Sequence, residues 1–173
     1  MANELDTFRQ IWDREAAKAA ALMRGLPEGS YDFRPDPGGR SIGELAWHLA
    51  EGDAYMSQGI ANGRFDMSAR PTGIERPRTI AELAPGYERV HRESVERLAG
   101  LTPADLGRQI PFLDGSERAI GELLWDTIIF HHVHHRGQLS VLCRIAGGVC
   151  PSMFGPNREE MAAFRARLAS VEA

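Results

Sequence analysis

Residues 118–146 read RAIGELLWDTIIFHHVHHRGQLSVLCRIA, and this stretch decides the fold. It contains no proline, and Gly147-Gly148, a common way to end a helix, follows it. Spacings that alternate between four and three residues predict one long helix with a buried face in a bundle. The members of that face are Leu124, Ile128, His131, His135, Gln138, Leu142 and Ile145.

Apolar stripes at helical spacing also lie upstream, separated by loops rich in proline and glycine. They predict helices over 3–26, 41–62 and 79–98, and a last helix over 157–170. The second and third helices open with capping-box sequences, Ser41–Glu44 and Thr79–Glu82. Between 99 and 118 we expect a short helical turn and an extended piece at 109–112. The sequence therefore predicts an all-α fold, a four-helix bundle with an additional C-terminal helix, in a single domain over residues 1–173.

Composition excludes several classes of protein. The 173 residues include 20 Lys and Arg against 24 Asp and Glu, so no basic excess indicates a nucleic-acid or membrane partner. Two cysteines, Cys143 and Cys150, are too few for a disulfide framework, and we expect them to pack in the structure. The acidic N-terminus lacks an apolar signal core, so we expect a cytoplasmic protein without a membrane span.

Four of the six histidines fall within residues 131–135. His131 and His135 lie one turn apart on the predicted buried face, where imidazoles need polar partners. A histidine pair at this spacing can chelate a metal, although buried histidines also bond to backbone carbonyls. The sequence leaves both readings open: a metal site, or a histidine-rich helix face without a metal.

His48 is the best candidate for a third ligand. Gly52, one turn further along the second helix, leaves room beside its ring, and Tyr55 follows. Three histidines would leave an open coordination position, as catalytic zinc sites do. Such donors suit zinc or nickel, with iron as an alternative. In the other interpretation His48 is a core histidine and Gly52 permits close helix packing. Glu51 could orient a water, although we expect it to be solvated.

Three motifs together resemble the DinB-like family, also described as DinB/YfiT-like: SIGELAWHLAE at 41–51, HHVHHRGQL at 131–139 and PSMFGP at 151–156. The resemblance covers nearly the whole chain. It implies a four-helix bundle, usually homodimeric, with a divalent metal held by His48, His131 and His135. It also implies, for members of known activity, S-transfer or isomerisation with a low-molecular-weight thiol. Relatives often have a tyrosine at the position of Phe154, so this chain lacks the hydroxyl that they carry there.

The sequence also predicts the surroundings of three residues outside the proposed ligand set. His91 lies in a Glu-x-x-His motif without a second copy, so we expect a surface histidine rather than part of a di-iron site. Arg136 points away from the predicted buried face, which favours a surface or dimer contact. Gln138 could touch the ligands or a substrate, but we favour a buried amide bonded to the backbone.

Two functional hypotheses follow. The first is a metal-dependent enzyme of the S-transferase or hydrolase type that acts on a small molecule, such as a low-molecular-weight thiol. Its candidate catalytic residues are Tyr55 and Gln138. The second is a non-catalytic metal-binding or stress-associated protein in which the ion is structural or sensory.

Overall fold

The computed structural model describes residues 3–66 and 68–171 as a helical bundle. Its α-helices are α1 (Glu4–Arg24), α2 (Ile42–Asn62), α3 (Ile80–Arg97), α4 (Ile120–Leu123), α5 (His131–Ile145) and α6 (Arg158–Val171). A π-helical segment, Leu124–Phe130, joins α4 to α5 without a break, so these three pieces form the predicted fourth helix. The prediction of a four-helix bundle with an additional C-terminal helix is confirmed.

Local hydrogen bonds explain where α2 and α3 begin. The Glu44 N–H donates to the Ser41 hydroxyl at 3.3 Å, and the Ser41 N–H donates to the Glu44 carboxylate at 2.8 Å. This is the predicted capping box, and it satisfies two backbone donors that the helix itself cannot pair. At α3 the Thr79 hydroxyl donates to the Glu82 carboxylate instead, so the predicted backbone cap is not formed there.

Large side chains from three helices fill the core. Trp12 of α1, Trp47 of α2 and Tyr87 of α3 are fully buried. The Trp47 indole N–H donates to the carbonyl oxygen of Ile74 at 3.1 Å, so its polar atom is satisfied inside the protein. Burial of an apolar side chain such as that of Phe8 contributes roughly 1.5–3 kcal/mol, and the four helices are held together mainly by such contacts.

The π-helical segment changes which face of the fourth helix is buried. Leu124 and Ile128 are buried as predicted, but further along Gln138 is exposed and Ile145 is 56% exposed. Because a π turn closes its hydrogen bonds one residue later than an α turn, residues after the segment are rotated about the helix axis. The prediction of one continuous buried face was therefore wrong beyond this segment. The buried residues of α5 are His132, Arg136, Leu139 and Cys143.

Arg136 is consequently a core residue, and its predicted surface or dimer role is wrong. Its guanidinium lies 2.6 Å from the carboxylate of Glu15, and both side chains are 3% exposed. Burial by itself raises the pKa of Glu15, but the neighbouring Lys18, Arg136 and Arg14 outweigh burial and lower this pKa to about 2. The ion pair ties α5 to α1 across the bundle.

A short hairpin precedes α4. Its strands are β1 (Gln109–Pro111) and β2 (Glu117–Ala119), paired antiparallel with Ile110 opposite Arg118. The extended piece predicted at 109–112 is thus confirmed. The hairpin brings Phe112 and Leu113 to the edge of a cavity beside α2.

α6 lies on the outside of the bundle. Phe164 and Leu168 are 53% and 50% exposed. None of the helices in the described ranges, α6 included, is long and apolar enough to cross a bilayer. No residue of α6 lines either of the cavities at the candidate site.

Candidate metal centre

Three imidazole rings from two helices meet at one edge of the bundle. One ring nitrogen from each of His48, His131 and His135 lies within 4.8 Å of the other two. The ring centroids of His131 and His135 are 4.5 Å apart, and that of His48 lies 5.0 and 4.6 Å from them. The structure therefore brings the three predicted ligands together, while their binding of a metal stays a prediction.

The local backbone sets this convergence. α5 begins directly after the π-helical segment, with His131 at its first position and His135 one turn later. Both rings lie at the half-buried border of α5, next to α2. A Cβ atom at Gly52 would lie 3.3 Å from Nδ1 of His131, so glycine makes room for that ring. The space predicted beside His48 exists, and the His131 imidazole occupies it.

The environment favours the neutral form of His131 and His135. Burial, followed by the charges of His135 and His48, lowers the pKa of His131 to about 4. Burial also lowers the pKa of His135, even though the hydrogen bond that its ring donates to the Gln138 amide oxygen opposes it. At neutral pH these rings therefore carry free nitrogen lone pairs, which is the form of histidine that binds metals.

Polar side chains contact the rings from outside. Nδ1 of His135 lies 2.7 Å from Oε1 of Gln138, and donation across this contact leaves Nε2 with its lone pair. Nδ1 of His48 lies 3.6 Å from a carboxylate oxygen of Glu51. A hydrogen-bonded partner such as Gln138 on the second nitrogen orients a metal-binding histidine. Gln138 is exposed, so the buried, backbone-bonded amide that we favoured is wrong.

Two cavities flank the three rings. One, of about 600 Å³, is lined by His48, His131 and Tyr55. The other, of about 490 Å³, is lined by His135 and Gln138. Both volumes suit a small molecule. Tyr55 and Gln138 thus each border a space that a substrate could enter beside the rings.

Phe154 lies away from this centre. Its ring is 75% exposed, with the ammonium nitrogen of Lys18 3.5 Å from the ring centroid. Phe154 lines neither of the two cavities, so the hydroxyl missing at this position does not alter the donors around the rings.

A buried polar network lies deeper in the bundle, and sequence reasoning missed it. Asp53 of α2 is 1% exposed and accepts hydrogen bonds from the Trp12 indole at 3.1 Å and the Tyr87 hydroxyl at 3.3 Å. His91 lies between two carboxylates, with Nδ1 3.1 Å from Asp53 and Nε2 3.0 Å from Asp13. The prediction of a surface histidine is wrong, because α1 and α2 both supply partners that its own helix does not reveal.

The sequence did contain one sign of this network. Asp53 lies one turn after Leu49 and Ala50, on the same buried face of α2. A carboxylate on a buried helix face requires partners from other helices. His132 also borders the network, with Nδ1 4.0 Å from Asp53, and neither of its ring nitrogens hydrogen-bonds to a described residue. Burial lowers the pKa of His132.

We expect His91 to make stability pH-dependent. Burial alone lowers the pKa of His91, but Asp53 and Asp13 outweigh it and raise this pKa above the ordinary 6.5. Because the pKa of His91 is higher in the folded state, protonated His91 stabilises the folded protein. This contribution is fully present below about pH 6.5 and is lost as pH rises through the folded-state pKa. Urea unfolding in the presence of a chelator should show a larger free-energy difference between the unaltered protein and His91→Gln at pH 6 than at pH 8.5.

The exposed His134 offers a control for this effect. His134→Gln should leave the free-energy difference from the unaltered protein the same at both pH values, because the ring is exposed. An equal cost of His91→Gln at pH 6 and pH 8.5 would show that folding does not raise the pKa of His91.

Comparison with known proteins relates this chain to a family of sequences and to solved structures. Residues 11–139 match the profile of the DinB superfamily. The uncharacterized protein YrdA of Bacillus subtilis (strain 168) is 30% identical over 167 residues, which cover 95% of this chain and 96% of YrdA. A DinB-like protein from Bacillus cereus ATCC 10987 superimposes with a TM-score of 0.70 at 28% identity, covering 85% of this chain and 95% of that one. A second DinB-like protein, YjoA from Bacillus subtilis, superimposes with a TM-score of 0.65 at 22% identity, covering 80% of this chain and 92% of that one. At this identity the likeness supports the fold alone.

Proposed function

The chain belongs to the DinB superfamily, and from this premise we propose that it binds a divalent metal ion through His48, His131 and His135. We further propose that it is a metal-dependent enzyme of the thiol S-transferase or hydrolase type. The observation that carries the proposal is the convergence of three half-buried rings between two cavities. Converging imidazoles beside space for a small molecule are what a metal-dependent enzyme requires.

The donor set fits a divalent ion of intermediate softness. Imidazole nitrogens suit zinc or nickel, with iron as an alternative. When bound, the ion supplies a Lewis acid that can lower the pKa of a thiol or water and polarise a carbonyl oxygen. No fourth His, Cys, Asp or Glu joins the group within residues 3–66 and 68–171. A structural zinc site is usually closed by four protein ligands, so three favour the enzyme over a structural ion.

Residues around the rings have separate roles in this proposal. Gln138 orients His135 through a hydrogen bond, and Glu51 places a carboxylate 3.6 Å from Nδ1 of His48. Tyr55 borders the larger cavity, where its hydroxyl can donate a hydrogen bond to a substrate. These residues bind and orient, and none of them is asked to form a covalent intermediate.

The protein's own cysteines are poorly suited to supply a nucleophile. Cys143 is fully buried, and burial raises the pKa of its thiol. Neither Cys143 nor Cys150 lines the two cavities beside the rings. A thiol that reacts at this centre would therefore be a substrate, which supports S-transfer with a low-molecular-weight thiol.

We expect single substitutions of the ring residues to abolish tight metal binding. His131→Ala or His135→Ala should weaken zinc affinity by at least about 100-fold, because each removes one of three donors. The measurement is a chelator-competition titration on protein purified without an affinity tag. His134→Ala is the matched control, since His134 is exposed, lies outside the group and should change the affinity by less than about threefold.

Single-turnover thiol transfer then separates the enzyme from the alternative, a protein whose ion is structural or sensory. The metal-loaded chain should transfer at least one thiol from a panel to an electrophile, and His48→Ala should not. The proposed activity is contradicted if the protein, loaded with each metal in turn, converts no thiol and no hydrolysable ester. A strong fall in melting temperature on metal removal would then identify the ion as structural.

A further inference from the structure

Arg40 occupies a special position beside the three rings. It immediately precedes Ser41, which caps α2, so its backbone lies at the fixed start of that helix. Its side chain is exposed and borders both cavities, the one with His48 and the one with His135. A small molecule bound in either cavity can therefore lie near the Arg40 side chain.

Arg40 differs from the neighbouring arginines because its guanidinium forms no ion pair with a described residue. Arg34 lies 3.2 Å from the Glu44 carboxylate. Arg76 lies 3.6 Å from Glu44 and 3.7 Å from Glu51. In the described part of the chain, no carboxylate oxygen lies within 4.0 Å of the Arg40 guanidinium, the limit for an ion pair.

The acidic groups of the two cavities have other partners. In the larger cavity Glu51 faces Arg76, and Asp126 lies 2.6 Å from the guanidinium of Arg118. In the smaller one the Asp36 carboxylate accepts a hydrogen bond from the backbone N–H of Gly38 at 3.0 Å. Glu51 and Asp126 are thus paired with other arginines, and the Arg40 guanidinium remains at the boundary for an anion from outside.

Part of the wall of the larger cavity is apolar. Met56 and Phe112 line it, together with Leu113, whose side chain is 47% exposed at the hairpin tip. An apolar wall beside a guanidinium selects a ligand with a short hydrocarbon part and an anionic end.

We propose that Arg40 binds a carboxylate of the small thiol whose sulfur reaches the three-histidine centre. This inference rests on the proposed function and specifies its substrate class. A guanidinium offers a planar pair of N–H donors that matches a carboxylate in a bidentate contact. Among the described residues that line the two cavities, Arg40 is the one Lys or Arg. A phosphate ester carries more negative charge and would require further cationic side chains.

The test uses the full chain loaded with cobalt, whose thiolate absorption band reports binding of sulfur to the metal. The probes are 3-mercaptopropionate and 2-mercaptoethanol, which differ by the carboxylate. The unaltered protein should bind 3-mercaptopropionate with a dissociation constant about tenfold lower than that of 2-mercaptoethanol. Arg40→Ala should remove this preference without changing the affinity for 2-mercaptoethanol or cobalt.

Arg34→Ala is the matched control, because Arg34 belongs to the same loop, is paired with Glu44 and lines neither cavity. It should keep the preference. The inference is overturned if neither thiol binds, if both bind equally to the unaltered protein, or if the preference survives in Arg40→Ala. The last result would mean that the carboxylate binds cobalt directly. A chain that binds no cobalt overturns the proposed metal centre itself, so the two failures are distinguishable.

Discussion

Arg136→Met should lower the free energy of unfolding by about 3–5 kcal/mol. The substitution leaves the Glu15 carboxylate buried without the guanidinium that lies 2.6 Å from it. Lys18 and Arg14 remain near this carboxylate, but they come from the same helix and cannot replace the link to α5. Urea unfolding at neutral pH measures the loss.

Two further variants test the physical reason. Arg24→Ala breaks an exposed pair with Glu88, and exposed ion pairs contribute less than about 1 kcal/mol. The double variant Glu15→Leu with Arg136→Met removes both buried charges and should recover most of the stability lost in Arg136→Met alone. If Arg136→Met costs no more than Arg24→Ala, then burial of this pair is not what makes Arg136 important.

Asp53→Ala should also cost about 3–5 kcal/mol of unfolding free energy, because three groups lose their acceptor together. The Trp12 indole and the Tyr87 hydroxyl both donate to this carboxylate, and His91 loses its buried partner. Thermal and urea unfolding of the metal-free protein measure the effect without a contribution from the candidate metal centre.

Asp13→Ala provides the comparison for Asp53. Asp13 contacts the other nitrogen of His91, but its side chain is 65% exposed, against 2% for Asp53. Its loss should therefore cost less than about 1 kcal/mol, since water can replace the carboxylate. Equal costs for the two variants would show that the contact with His91, rather than burial of Asp53, dominates the network.

The helices were predictable because their signals are local. The capping box at Ser41–Glu44 starts α2 where expected, and the apolar stripe in residues 3–26 becomes the buried face of α1. The candidate ligands were also predictable, since His131 and His135 are one turn apart on any helix that contains them. The family resemblance stated from the motifs is confirmed by the match over residues 11–139.

What the sequence by itself determined is thus the set of helices and the pairing of His131 with His135, because short-range spacing fixes both. Only the tertiary structure decided which face of α5 is buried, since the rotation introduced by Leu124–Phe130 has no local signature. It also decided the partners of Arg136 and His91. Glu15 lies 121 residues from Arg136, and Asp53 lies 38 residues from His91. Packing of separate helices creates such pairs, and no periodicity within one helix can predict them.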